Sequence, residues 1–209
     1  MKLLNHINEE VEYTTEEIGK ILLKDCAPYI HEMRQERSHF FRGTEMDIVG
    51  IKKYAARKTE RSPKDIPIWV HNYLNDLYVK RFGWPVRSGV FCYNSNKIYT
   101  YGKPKWLFPI GEYKYLWSPH IKDLFHVFVD WKMEYIKFYR KQGVDPNKIS
   151  IKNDDIREWA SLIVTELPYH NNHFGKAGDE NEISIWCDEY YLVDVLDRRD
   201  WQILTKMLL

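Results

Sequence analysis

The sequence predicts an α+β fold built as one domain over residues 1–209. Apolar side chains recur at three- and four-residue steps over 14–35, 66–82, 119–142 and 152–166, which is the period of a helix with one buried face. Between Pro85 and Trp117 the texture changes to short pieces, "VRSGVFCY", "KIYTYG", "KWLFPIG" and "YKYLW", divided by Asn, Ser, Gly and Pro as strands are by their turns. A chain of this length supports one well-packed core more readily than two.

The first helix opens at Thr14 and Thr15, whose hydroxyls can cap it, with Glu16 and Glu17 suiting the positive end of the helix dipole. Ile18, Ile21, Leu22, Cys26, Tyr29, Ile30 and Met33 then form a stripe over 14–35. "HFFRGT", 39–44, is an aromatic run stopped by glycine and predicts a strand. The next segment carries Lys52, Lys53, Arg57, Lys58, Arg61 and Lys64 and predicts a solvated helix and loop. A second helix, 66–82, follows the spacing of Val70, Tyr73, Leu74 and Leu77 and stops at Gly83. Ser118 and Pro119 open a long helix that Gly143 ends, and another covers 152–166. Residues 168–181, "PYHNNHFGKAGDEN", form a turn-rich loop, and two strands with a short C-terminal helix finish the chain.

Composition excludes several function classes. Lys plus Arg at 31 against Asp plus Glu at 30 leaves a formal charge of +1, so no global field draws the chain to nucleic acid or an anionic membrane. Cys26, Cys92 and Cys187 are too few and too scattered for a disulfide framework or a thiolate zinc site, which predicts a reducing, cytoplasmic setting. No apolar run approaches the ~20 residues of a membrane span, and the N-terminus turns polar after four residues, which predicts neither export nor a membrane partner. His170 and His173 lack a third ligand of fixed spacing, so no metal is expected. Walker, dinucleotide-binding and nucleophile-elbow motifs are absent.

Glu180 and Glu182 flank Asn181 at the mouth of the late strand. With Asn181 extended, both carboxylates project to one side of the sheet edge. Such a pair is either a solvated acidic turn or a place where positive charge is meant to sit.

Three pieces stand in a definite order: "FFRGT" on an early strand, "RSGVF" on a middle strand, and "ENEISI" on a late strand after an aromatic loop. In this order the chain resembles the ADP-ribosyltransferases of the arginine–serine–glutamate type, a group that includes bacterial toxins and phage enzymes. The resemblance runs from His39 to Leu196 and implies a split β-sheet core over 39–196, an N-terminal helical segment over 1–38 and inserted helices over 119–166. It implies NAD as substrate. Glu182 would stabilise the oxocarbenium-like transition state and Glu180 would orient or deprotonate the nucleophile. Arg42 would hold the phosphates, with Gly43, Thr44 and Arg87 also on the cofactor side, and Ser88 would hydrogen-bond Glu182. Tyr169, His170, His173 and Phe174 would meet a macromolecular acceptor, protein arginine or nucleic acid. The chain departs from the pattern at Arg87-Ser88-Gly89, where only Ser88 matches, and in the helix at 119–142 that lengthens the gap to Glu182. The competing reading is a catalytically inactive binding or structural protein of phage origin, using the basic 52–64 segment and the aromatic loop to hold nucleic acid or a partner protein.

Overall fold

The computed structural model of the protein describes residues 13–58, 63, 66–95, 102–194 and 198–209. The described chain is a mixed α+β structure of six α-helices and two antiparallel sheets. Helix α1 (Thr15–Asp25) begins with a capping box: the Thr14 hydroxyl accepts from the Glu17 amide and the Glu17 carboxylate accepts from the Thr14 amide. The one helix expected over 14–35 is in fact two. Cys26 leaves helical geometry, and Pro28 falls in the first turn of α2 (Ala27–Glu36), where its missing amide proton has no bond to lose.

Strand β1 (Phe40–Thr44), β4 (Lys103–Pro109), β7 (Glu189–Val193) and β2 (Ile51–Ala55) lie in that order in the first sheet. The second sheet runs β3 (Val90–Cys92), β6 (Ile183–Trp186), β5 (Lys114–Trp117). Phe41 and Tyr93 exchange both backbone hydrogen bonds, at 2.7 and 2.8 Å, and so join β1 of the first sheet to the chain just after β3 of the second.

The basic segment corrects the expectation of a helix and loop. Ile51–Ala55 pairs with β7 from Ile51↔Val193 to Ala55↔Glu189 as an edge strand. Its lysines guard that edge, and Lys53 pairs with Glu189 at 2.7 Å while Lys58 meets Asp188. Arg61 and Lys64 lie outside the described residues, as does the strand expected at "KIYTYG" up to Gly102.

Helix α3 (Ile68–Phe82) ends at Gly83 as expected. The long helix starts later than Ser118: α4 (Leu124–Lys141) is capped by Asp123, whose carboxylate accepts from the Phe125 amide at 2.7 Å. Helices α5 (Asn153–Glu166) and α6 (Arg198–Leu208) complete the set. Among the described residues no helix is long and apolar enough to cross a membrane.

The alternation of β6 divides the core. Ile183 and Ile185 turn toward α1, α2 and Phe174, whereas Leu116 of β5 and the half-buried Trp186 pack with Val70, Leu74, Phe128 and Trp159 of the helical layer. His39 is half-buried against Trp106, ring centroids 4.9 Å apart, and burial pushes its imidazole down from 6.5 to about 4. The unfolded chain therefore takes up a proton that the native state refuses, and stability falls as pH drops from about 6.5 toward 4. Urea midpoints measured across that window should fall more steeply for the wild type than for His39→Phe, which has no proton to bind.

Candidate functional site

The entry to β6 is clamped on both sides. Asn181 Nδ2 donates to the carbonyls of Ser118, Pro119 and Ile121 at 3.1, 3.3 and 3.2 Å, and its Oδ1 accepts from the Gly178 amide at 2.7 Å. The Glu182 amide donates to the Lys122 carbonyl at 3.0 Å. A side chain leaving a backbone fixed in this way has few directions open to it, and Glu182 turns inward.

Its partner is Arg87. Arg87 Nη1 stands 2.5 Å from Glu182 Oε1, and the two side chains are only 13% and 10% exposed. Burial alone would push the Arg87 guanidinium down, but the facing Glu182 carboxylate, together with the nearby Tyr78 and Asp123, outweighs it and holds Arg87 above its ordinary value. The guanidinium also lies 4.3 Å over the Phe91 ring. Arg87 is aimed by a 3-10 turn, Val86–Ser88, that α3 and β6 hold together: Asn75 Oδ1 accepts from the Arg87 amide at 2.8 Å and the Ser184 hydroxyl donates to the Val86 carbonyl at 2.5 Å. Gly89 closes the turn, since a Cβ there would lie 2.5 Å from Ser184 Oγ and 2.7 Å from the Ile185 carbonyl oxygen.

A cavity of about 20 Å³ adjoins the pair, walled by Tyr78, Leu116, Trp117, Ile121 and Tyr169, and it has room for one water. The Tyr78 and Tyr169 hydroxyls meet at 2.7 Å, and burial pushes Tyr78 up to about 12.

Arg42 lies on the other flank of β3. Its Nη1 donates to the Phe91 carbonyl at 3.0 Å, and it makes no ion pair with a described residue. Across from it on β4, Lys105 is buried against Asp194 at 2.5 Å, so that positive charge is cancelled while Arg42's is not. The thiol of Cys92, pushed up by burial, lies within electrostatic reach of both Arg42 and Glu182. Gly43 stands opposite Pro104 and Thr44 opposite Lys103.

Several expectations are overturned. Ser88 does not hold Glu182: it lies in the 3-10 turn instead of on the strand, and its hydroxyl accepts from Asn75 Nδ2 at 3.0 Å. Arg87, expected on the cofactor side, takes that place. Glu180 and Glu182 do not share a side. The Asn181 amide bonds the Gly178 carbonyl at 2.9 Å, so Glu180 sits in a turn, where it is 69% exposed and pairs with Lys122 at 2.5 Å. Thr44 is buried, and its hydroxyl accepts from the Met46 amide at 3.1 Å, stabilising the turn after β1.

The expected recognition loop is largely core. Phe174 is fully buried, because the loop folds back between α2 and the sheets and its ring lands 4.4 Å from that of Phe40. Tyr169 is half-buried against Tyr78 and Phe82. His170 pairs through its backbone with Trp117, at 3.0 and 2.8 Å. His173 is exposed, with its Nδ1 2.9 Å from Glu36.

Sequence reasoning missed Asn75, Asn181 and the end of β3. Cys92 pairs with Ile183, so Tyr93 continues β3 toward Glu182 while bridging Phe41, and Ser95 is buried just beyond it. "YNS" at the end of an apolar run was a visible signal for that stretch; nothing distinguished Asn75 from any other polar residue of a helix. No protein-family model, curated protein or solved structure matches the chain.

Proposed function

We propose that the chain is a mono-ADP-ribosyltransferase that breaks the nicotinamide–ribose bond of NAD and passes ADP-ribose to a macromolecular acceptor. One observation carries this reading: the motif arginine stands on β1 and the motif glutamate at the mouth of β6, the two strands that flank β3, near the same end of it. The charge of Arg42, uncancelled by any described carboxylate, suits a diphosphate. Glu182 would supply the fixed negative charge that an oxocarbenium-like centre needs once the opening of the site draws away Arg87, which cancels that charge in the closed state. Ser95, buried three residues past the end of β3, is a better candidate than Ser88 for the serine that accompanies Arg42 and Glu182. Three free, buried thiols suit a reducing compartment such as the cytoplasm.

The enclosure of Glu182 favours a second reading. A space for one water admits no nicotinamide riboside, so catalysis requires the wall around Arg87 and Tyr169 to open when NAD binds. If it never opens, the Arg87–Glu182 pair is a latch between the helical layer and the second sheet, and the protein is a binding module.

Incubation with NAD labelled on its adenylate separates the two. The first reading expects nicotinamide release, label on protein or RNA, and a melting temperature raised by NAD, since ligand at a hundred times its dissociation constant adds about 2.7 kcal/mol. Arg42→Lys should weaken NAD binding, because a point charge cannot span two phosphate oxygens. Absence of both turnover and thermal shift rejects the transferase.

A further inference from the structure

Beyond Phe128, helix α4 leaves the core. From Lys132 to Glu158 no side chain is buried, although the stretch carries Met133, Tyr135, Ile136, Phe138 and Tyr139. Phe138 is 58% exposed. The rings form a continuous ladder outward, Phe128 to Trp131 at 5.9 Å, Trp131 to Tyr135 at 5.7 Å and Tyr135 to Tyr139 at 4.8 Å, with Phe138 beside the last at 5.4 Å. The Tyr135 hydroxyl donates to Asp155 of α5 at 3.0 Å and ties the arm to that helix.

The tip of this arm is basic. Between 137 and 152 the sequence carries the cations Lys137, Arg140, Lys141, Lys148 and Lys152 and one carboxylate, Asp145, which caps the amide of Asn147 at 3.0 Å; Glu134, near Lys137 and Lys141, and Asp155, bonded to the Lys152 amide, flank the stretch. Lys137 is paired with Glu134, while the other four make no ion pair with a described residue. On β2, by contrast, Lys53 and Lys58 are met by Glu189 and Asp188. Aromatic rings left in water beside unpaired cations mark a surface made for a partner.

We propose that this arm binds single-stranded nucleic acid. Phosphates neutralise the four unpaired cations, and bases stack on Phe138 and the outer edge of the Tyr135–Tyr139 ladder. A protein partner fits less well, because lysine is depleted from the cores of protein interfaces and here supplies three of the four charges. A duplex hides the faces of its bases from such rings. The proposal does not rest on ADP-ribosyl transfer, and its test omits NAD.

The test is fluorescence anisotropy of the whole chain with labelled single strands of about 20 nucleotides, RNA and DNA in turn, and with the matching duplex. Binding should weaken steeply from about 50 to about 200 mM salt. Arg140→Glu with Lys141→Glu should weaken it at least about tenfold and reduce the salt slope by about two contacts. Phe138→Ala should weaken it about 5- to 100-fold without changing that slope. Melting temperatures matching the wild type establish that these surface variants are folded. No binding at about 50 mM salt, equal binding to the duplex, or binding lost in Lys52→Glu and kept in both arm variants would each overturn the proposal.

Discussion

Glu182→Gln is expected to reduce nicotinamide release and ADP-ribosyl transfer by about 10² to 10³, because it keeps the volume of the side chain and removes the charge that faces the reacting ribose. It should also destabilise the fold, since the guanidinium of Arg87 stays enclosed without a counter-charge. Full removal in Glu182→Ala should cost about 3–5 kcal/mol, and the amide of Gln less, because its oxygen still accepts from Arg87. Replacing both partners, Arg87→Met with Glu182→Leu, should recover most of that stability and none of the activity. Urea titrations and a nicotinamide-release assay on the same four proteins keep the two effects apart. Activity within a few fold of wild type in Glu182→Gln would leave the pair as a latch and the chain as a binding module.

Phe174→Ala should lower stability by about 3–5 kcal/mol, the range for truncating a buried phenylalanine. Its ring is fully buried and packs 4.4 Å from Phe40, 5.6 Å from Tyr115 and 6.2 Å from Tyr29. The urea midpoint should fall with little change in slope, as for a loss of packing within an otherwise cooperative fold. His173→Ala, one residue away, should change stability by less than about 1 kcal/mol, because its contact with Glu36 is solvent-exposed on the histidine side. Equal losses in the two variants would mean that the loop is held by its turn and not by the Phe174 ring.

What could be read from the sequence was what depends on near neighbours. The stripes of α1, α2, α3 and α5 follow from spacing, and the cap at Thr14 from four consecutive residues. The break at Cys26 was signalled by Pro28, which cannot continue a helix from its N-terminal side. β2 was hidden because "IKKYA" carries an edge strand's lysines, and only its long-range pairing with β7 makes it a strand. At the site, Arg42 lies on a strand and Glu182 at the mouth of another, as their apolar neighbours required. The pairing of Glu182 with Arg87 could not be read, because it depends on a turn held by Asn75 from α3 and Ser184 from β6, residues 109 positions apart in a 209-residue chain. Phe174 looked exposed among Asn, His, Gly and Lys, and only the return of the loop onto Phe40 buries it.

The central strand of the second sheet, β6, and an inner strand of the first, β7, follow the other five strands among the described residues. β4 and β2 have no common neighbour, and β3 and β5 none either, until residues beyond 182 have been made. These two sheets therefore stay unclosed on the ribosome until residues 183–193 have emerged, and their closure waits for long-range pairings whose loop entropy makes them slow. Glu182 arrives at the threshold of β6, so the candidate site cannot assemble before the strand that closes the second sheet. A nascent chain cannot carry the pair Arg87 and Glu182 before β1–β5 have been made, and truncation anywhere upstream of β6 leaves open strand edges on both sheets.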